Sequence, residues 1–157
     1  MRAACLVAAL VAVPLVAEAQ QPCTKDTRAV VSEIYSRILE RPYDDGGIGW
    51  IQQLDRGDSS VRDIVGFVIK SPEYADRFLS GNRQSAIRNV YRHLLNRAPD
   101  AEDLESAVAT ALGGYNPVID TVLASGEYTQ YVGDNGVPGS NTLYCEASGG
   151  IHQSRQR

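Results

Sequence analysis

One stretch of this chain occurs twice, and that limits what it can fold into. Ile34-Tyr35-Ser36-Arg37-Ile38-Leu39-Glu40-Arg41-Pro42-Tyr43-Asp44 is answered by Val90-Tyr91-Arg92-His93-Leu94-Leu95-Asn96-Arg97-Ala98-Pro99-Asp100. Tyr35, Leu39, Arg41 and Asp44 thus return as Tyr91, Leu95, Arg97 and Asp100. A second echo closes each copy: Ser71-Pro72-Glu73-Tyr74 and Ser125-Gly126-Glu127-Tyr128. A repeat of this length is a supersecondary unit built twice, each half helping to bury the other.

Helical spacing runs through both copies. Val30, Val31, Ile34, Tyr35, Ile38 and Leu39 form one apolar stripe, which ends near Arg41 because Pro42 disfavours helical geometry before it. Asp44 or Asp45 caps a second helix with Ile48, Trp50, Ile51 and Leu54, stopped by Gly57. Ser59 or Ser60 opens a third, whose face is Val61, Ile64, Val65, Val68 and Ile69. Ser71-Pro72-Glu73 restates helix-start chemistry for a short fourth with Tyr74 and Phe78. The second copy follows suit: Ile87 to Leu95; Asp100 capping Leu104, Val108 and Leu112; Asn116-Pro117 opening Val118 to Leu123; Ser125 capping Tyr128 and Val132. No stretch alternates with period two for long. The expected fold is all-α, one domain of two fused four-helix repeats, about 27–80 and 84–133.

The ends point to export. Arg2, the apolar run Ala3 to Val16 and the A-x-A pattern Ala17-Glu18-Ala19 are expected to form a signal peptide over 1–19, cut before Gln20. The run is short for a membrane span of about 20 apolar residues, and no later segment is apolar enough for one. The domain then occupies 20–145, followed by a polar tail at 146–157 that is expected to be disordered. Cleavage leaves Cys23 and Cys145 bracketing the repeats, an even pair that suggests a disulfide in an oxidising compartment. Such a bond would constrain the unfolded chain by about 4–5 kcal/mol in the chain-entropy account. The expected location is secreted or periplasmic. A formal net charge of −4 argues against nucleic acid and anionic membrane surfaces as partners.

Arg41-x-x-Asp44-x-x-Gly47-x-x-Trp50-x-x-x-Leu54-x-x-Gly57, followed by Ser71-x-Glu73-Tyr74, resembles a bacterial domain family of unknown function found in exported and surface-layer proteins. The second copy is similar to the phycobilisome linker polypeptide domain. It matches in Tyr91-x-x-Leu94-Leu95-x-Arg97-Ala98-Pro99, in Gly114-Tyr115 with Ile119-Asp120, and in Ser125-x-Glu127-Tyr128-x-x-x-Val132-Gly133-Asp134-Asn135-x-Val137-Pro138. Together the resemblances extend from about Val30 to Pro138. They imply a helical module that joins other proteins and performs no reaction, and they supply no catalytic residues. Two departures, an export signal and the absence of a basic balance, limit what carries over to the fold and a general role in assembly.

Reactive chemistry finds little foothold. No His/Cys/Asp spacing matches a zinc site. Asp44-Asp45-Gly46 lacks the regular acidic ligands of a calcium loop and suits a turn and cap better. No nucleophile elbow, phosphate-binding loop or dinucleotide fingerprint is present, so no cofactor is expected. Arg41 and Arg97, each with a later acid at Glu73 or Glu127, offer either a guanidinium fork for an anion or a structural tie between first and fourth helices. Tyr35, Tyr74, Tyr91 and Tyr128 suit an amphipathic core. The expected function is a noncatalytic assembly module whose partner is another exported or surface protein. A helical module for cell-wall polymer or polysaccharide, and a small hydrolase, are the alternatives. An exposed aromatic row would favour sugar, and an exposed aliphatic patch would favour assembly.

Overall fold

The first helix among the described residues, α1 (Thr27–Ile34), starts where the Asp26 carboxylate accepts the Ala29 N–H. It runs into a π-helical turn at Tyr35–Leu39. Glu40 then takes a left-handed conformation at φ 51°, and Pro42 prevents the helix from resuming. These coordinates are a computed structural model describing residues 23–145. The expected signal peptide and the expected disordered tail at 146–157 both lie outside the described residues.

Asp44 accepts the Gly46 N–H, and a short 3₁₀ turn at Asp45–Gly47 leads into α2 (Ile48–Arg56). Gly57 ends α2 at φ 69°, a left-handed position that suits glycine. Ser60 and Asp63 form a reciprocal capping box at the start of α3 (Val61–Ile69). Ser71 caps α4 (Pro72–Tyr74), which widens into a second π-helical turn at Ala75–Leu79. Asn82 caps the longest helix, α5 (Arg83–Leu95), which ends at Asn96 in the left-handed region. Asp100 caps α6 (Ala101–Thr110), extended by a 3₁₀ turn at Ala111–Gly113. Helices α7 (Asn116–Leu123) and α8 (Gly126–Tyr131) follow, the latter capped by Ser125. Asn116-Pro117 opens α7 as expected, with proline in the first turn and no side-chain cap.

The fold is all-helical and forms one domain. Among the described residues there is no strand, only two isolated bridges, Thr24 with Tyr144 and Gly136 with Leu143. The core is continuous: α1 packs on α2, α3 lies against both the first π turn and α7, and α5 touches α6, α7 and α8. All five residues expected on the face of α3 are buried. The stripe of α2 is less complete. Leu54 is buried, Trp50 and Ile51 are half-buried, and Ile48 is exposed. Leu112, expected inside, is 73% exposed, because the 3₁₀ turn that follows α6 alters the spacing from 100° per residue and carries Leu112 outward.

Gly133–Cys145 forms a strap tied to the start of α3 at Asp134 and to the end of α2 at Tyr144. Its Tyr144 Oη donates to the Leu54 carbonyl at 3.3 Å, and Val137 and Tyr144 are buried. Gly136 is required here, since a Cβ at that position would sit 2.1 Å from the Val132 carbonyl oxygen. Cys23 and Cys145 are joined by a disulfide, with Cα atoms 5.1 Å apart across a sequence separation of 122.

The burial pattern of α3 gives a direct test. Ile64→Ala, at a fully buried position, should destabilise the protein by about 2–5 kcal/mol in urea titrations. Phe67→Ala, off that face and 53% exposed, should cost no more than about 1 kcal/mol.

Candidate functional site

The polar residues singled out by sequence meet in two similar forks. Arg41 follows the first π turn, and its Nε and Nη2 donate to Glu73 Oε1 and Oε2 at 2.5 and 2.7 Å. Its Nη1 donates to the Pro42 carbonyl at 2.8 Å and lies 3.1 Å from Asp44 Oδ2. Arg97 follows α5 and does the same: Nε and Nη2 reach the Glu127 carboxylate at 2.6 Å each, and Nη1 donates to the Ala98 carbonyl at 2.9 Å. Asp103 accepts a further bond from Nη2 at 3.0 Å.

Each guanidinium also lies over a tyrosine ring, Arg41 at 5.1 Å from Tyr35 and Arg97 at 5.5 Å from Tyr91. The forks therefore tie the end of one helix to the first turn of a later one. Nearly every donor of both guanidinium groups is engaged within the chain, so an incoming anion would have to displace a carboxylate. The paired arginines hold the Glu73 and Glu127 carboxyls below the usual carboxylate range.

Tyr74 and Tyr128 follow those glutamates and are both fully buried. Their surroundings differ. Tyr74 Oη lies 2.8 Å from His93 Nδ1, within a ring cluster completed by Phe78. Burial pushes the Tyr74 phenol up, so it keeps its proton and donates to Nδ1. The imidazole proton then sits on Nε2, 3.3 Å from Glu40 Oε1. Arg92 Nη2 lies 3.1 Å from that nitrogen and donates to the same Glu40 oxygen. Burial pushes the His93 pKa down, opposed by its bond to Glu40. Tyr128 Oη is buried without a hydrogen-bond partner among the described residues, and Arg62 lies 5.0 Å from its ring.

This His93 network was not anticipated from sequence, where His93 stands beside Leu94 with no motif around it. One signal was available: position 93 is six residues after Ile87 and three after Val90, on the buried arc of α5. Phe67 was also missed. It falls off the α3 stripe, stacks on Trp50 at 5.5 Å with planes 7° apart, and borders a groove of about 420 Å³ between α3 and α7. Lys70 and Asp120 pair across that groove. Among the described residues no group of three His, Cys, Asp or Glu side chains is placed to hold a metal.

The family model for the phycobilisome linker polypeptide matches residues 23–141. This chain belongs to that family. A 39 kDa phycocyanin-associated rod linker polypeptide of Microchaete diplosiphon is 32% identical over 120 residues, covering 73% of this chain and 42% of that one. The 32.1 kDa phycocyanin-associated rod linker of Synechocystis sp. is 35% identical over 120 residues, 72% of this chain and 41% of that one. The phycobiliprotein ApcE of Synechocystis sp. is 30% identical over 129 residues, 78% of this chain and 14% of that one. The matched region thus spans about two-fifths of the length of the rod linkers.

Membership in the linker family overturns the secreted or periplasmic location. Phycobilisome linkers are cytoplasmic-side components of the thylakoid-associated phycobilisome. The export expectation rested on an apolar run and an A-x-A site in residues 1–19, outside the described residues. Such a pattern is short and local, requiring only apolar and small residues, whereas the family match runs through the whole folded core.

Three measurements follow from this geometry. Arg41→Ala and Arg97→Ala should each lower unfolding free energy by about 1–3 kcal/mol, the range for bonds to charged partners. An Arg41/Glu73 double-mutant cycle should show strong coupling. The two buried tyrosines should respond differently. Tyr74→Phe should destabilise by about 1 kcal/mol, whereas Tyr128→Phe should be neutral or stabilising, because no protein partner is lost.

The pH dependence has a definite sign. His93 is depressed below its ordinary 6.5 in the fold, so the unfolded chain takes up the proton first. Stability is full above about pH 6.5 and falls as the pH drops from there toward the lowered folded value. Glu73 and Glu127 are also depressed, and they add a loss of stability that begins only near their ordinary 4.5. Chemical unfolding across pH 4–8 should show the upper step in the parent and not in His93→Gln.

Proposed function

We propose that this domain is a noncatalytic joint that fastens protein subunits together, with a phycobiliprotein of the phycocyanin kind as its partner. One observation carries the reading: the linker family match at 23–141 takes in nearly all of the 23–145 fold. The partner class follows from relatives that are phycocyanin-associated rod linkers.

The site supports this reading. Its strongest polar groups, the two arginine–glutamate forks, are turned toward one another, which suits a rigid spacer. The exposed large apolar residues are Ile48, Phe67, Leu112, Tyr131 and Leu143. They are mixed aliphatic and aromatic side chains, which fits protein contact better than a sugar-binding row of rings. No helix among the described residues is long and apolar enough to cross a membrane.

The domain is further read as two fused four-helix units, about 27–80 and 84–133. Support comes from the matching forks at Arg41–Glu73 and Arg97–Glu127 and the matching serine caps at Ser71 and Ser125. Left-handed residues also close the first helix of each unit, Glu40 and Asn96.

Sedimentation velocity with purified phycocyanin tests the function. At about 10 μM of each component, well above the affinity of a specific complex, the two should move as one faster species. Independent sedimentation of chain and phycocyanin at that concentration would overturn the assignment.

A further inference from the structure

We propose that the Cys23–Cys145 bond is a redox-operated clasp: a protein dithiol opens it, freeing the strap from α2 while the helices stay folded. The inference does not depend on the partner proposed above.

The position of the bond is the first support. It joins a residue before α1 to one after α8, so it encloses the helical core without running through it. Access is the second. Cys23 is exposed and Cys145 half-buried, although Tyr144 next to it is buried. An exposed disulfide sulfur is open to attack by a thiolate.

The third support is the thin pairing of the two ends with each other, while Tyr144 beside Cys145 bonds the Asn135 and Leu54 carbonyls. Thr24 N–H donates to the Leu143 carbonyl at 2.7 Å, and Cys145 N–H donates to the Thr24 carbonyl at 2.8 Å. These bonds belong to isolated bridges, and an isolated pairing of this kind is marginal in water. The other end of the strap is anchored. Arg62 N–H donates to the Asp134 carbonyl at 3.0 Å, and Arg62 Nε lies 3.0 Å from Asp134 Oδ1. Gly133, at φ 73°, stands beside that anchor. The strap is thus tied at Asp134 and clasped at Cys145; between them Val137 is buried and Tyr144 bonds the Leu54 carbonyl. Opening the clasp lets this part swing from its anchor and draws Tyr144 away from the end of α2.

The chemistry balances. A thiolate of the dithiol attacks Cys23 Sγ, the S–S bond breaks, and Cys145 leaves as a thiolate that takes a proton. The second thiol of the dithiol attacks the mixed disulfide and releases Cys23. The protein disulfide gains two electrons and two protons, and the dithiol departs as its own disulfide.

Hydrogen exchange by mass spectrometry on the full chain, oxidised and after treatment with a thioredoxin-type dithiol, tests the clasp. Amides of 136–145 and of the end of α2 should exchange about tenfold faster once reduced, a local opening. Those of α1, α3 and α5 should keep their protection. The paired variant Cys23→Ser/Cys145→Ser should behave as the reduced protein without any reductant. Three results would overturn the proposal: unchanged strap protection after reduction, loss of protection throughout the helices, or a bond that the dithiol cannot open in the folded protein.

Discussion

The longest helix here, α5, has 13 residues, and α1 and α7 have eight each. Helices of this length are marginal in water alone, since nucleation costs more than a few turns of propagation return. Their stability comes from burying one apolar face against several neighbours at once. Ile34, Ile38, Ile64, Ile69, Ile87, Leu94 and Ile119 are all at the limit of burial, and they come from α1 and its π turn, α3, α5 and α7. Each element is thus conditional on the others. Capping residues set where each one starts, but burial decides whether it persists.

That dependence explains the work of the arginine forks. Where the first helix ends, the chain must reverse beside a proline, and the exposed carbonyls of the helix end need donors. Arg41 gives one donor to the Pro42 carbonyl and two to Glu73, so one side chain fixes both the turn and the approach of α4. Arg97 repeats this through Ala98 and Glu127. The cost appears at Glu40, which holds a left-handed conformation that Asn96 adopts with less strain in the matching place. Glu40 is retained there with contacts that asparagine is too short to make, its carboxylate reaching Arg92 and the buried His93.

Much of this was legible in the residues. The stripe of α3, the caps at Ser60, Ser71, Asp100 and Ser125, and the stop at Gly57 follow from local chemistry that needs no partner. The pairing of Arg41 with Glu73 was available as one of two readings, because both residues recur together in the second copy. What was not legible depends on distant contacts. The π turns at Tyr35–Leu39 and Ala75–Leu79 add a residue to a helical turn, and no propensity marks them. The Tyr74–His93–Glu40 network joins three elements far apart in sequence. The exposure of Leu112 follows from a change of helical pitch that periodicity assumes away.

The surroundings of Tyr74 and Tyr128 differ in polarity, and that difference bears on how the core holds its shape. Tyr74 has a histidine acceptor, which removes the penalty of burying its hydroxyl and makes that region sensitive to proton concentration. Tyr128 has an arginine over its ring instead, and Arg62 is also the residue that anchors the strap at Asp134. Arg62 of α3 thus joins the Tyr128 ring to the segment that Cys145 closes. The arginine forks sit at the joints between elements, where they set angles, while Arg62, Asp63, Lys70 and Asp120 line the groove between α3 and α7.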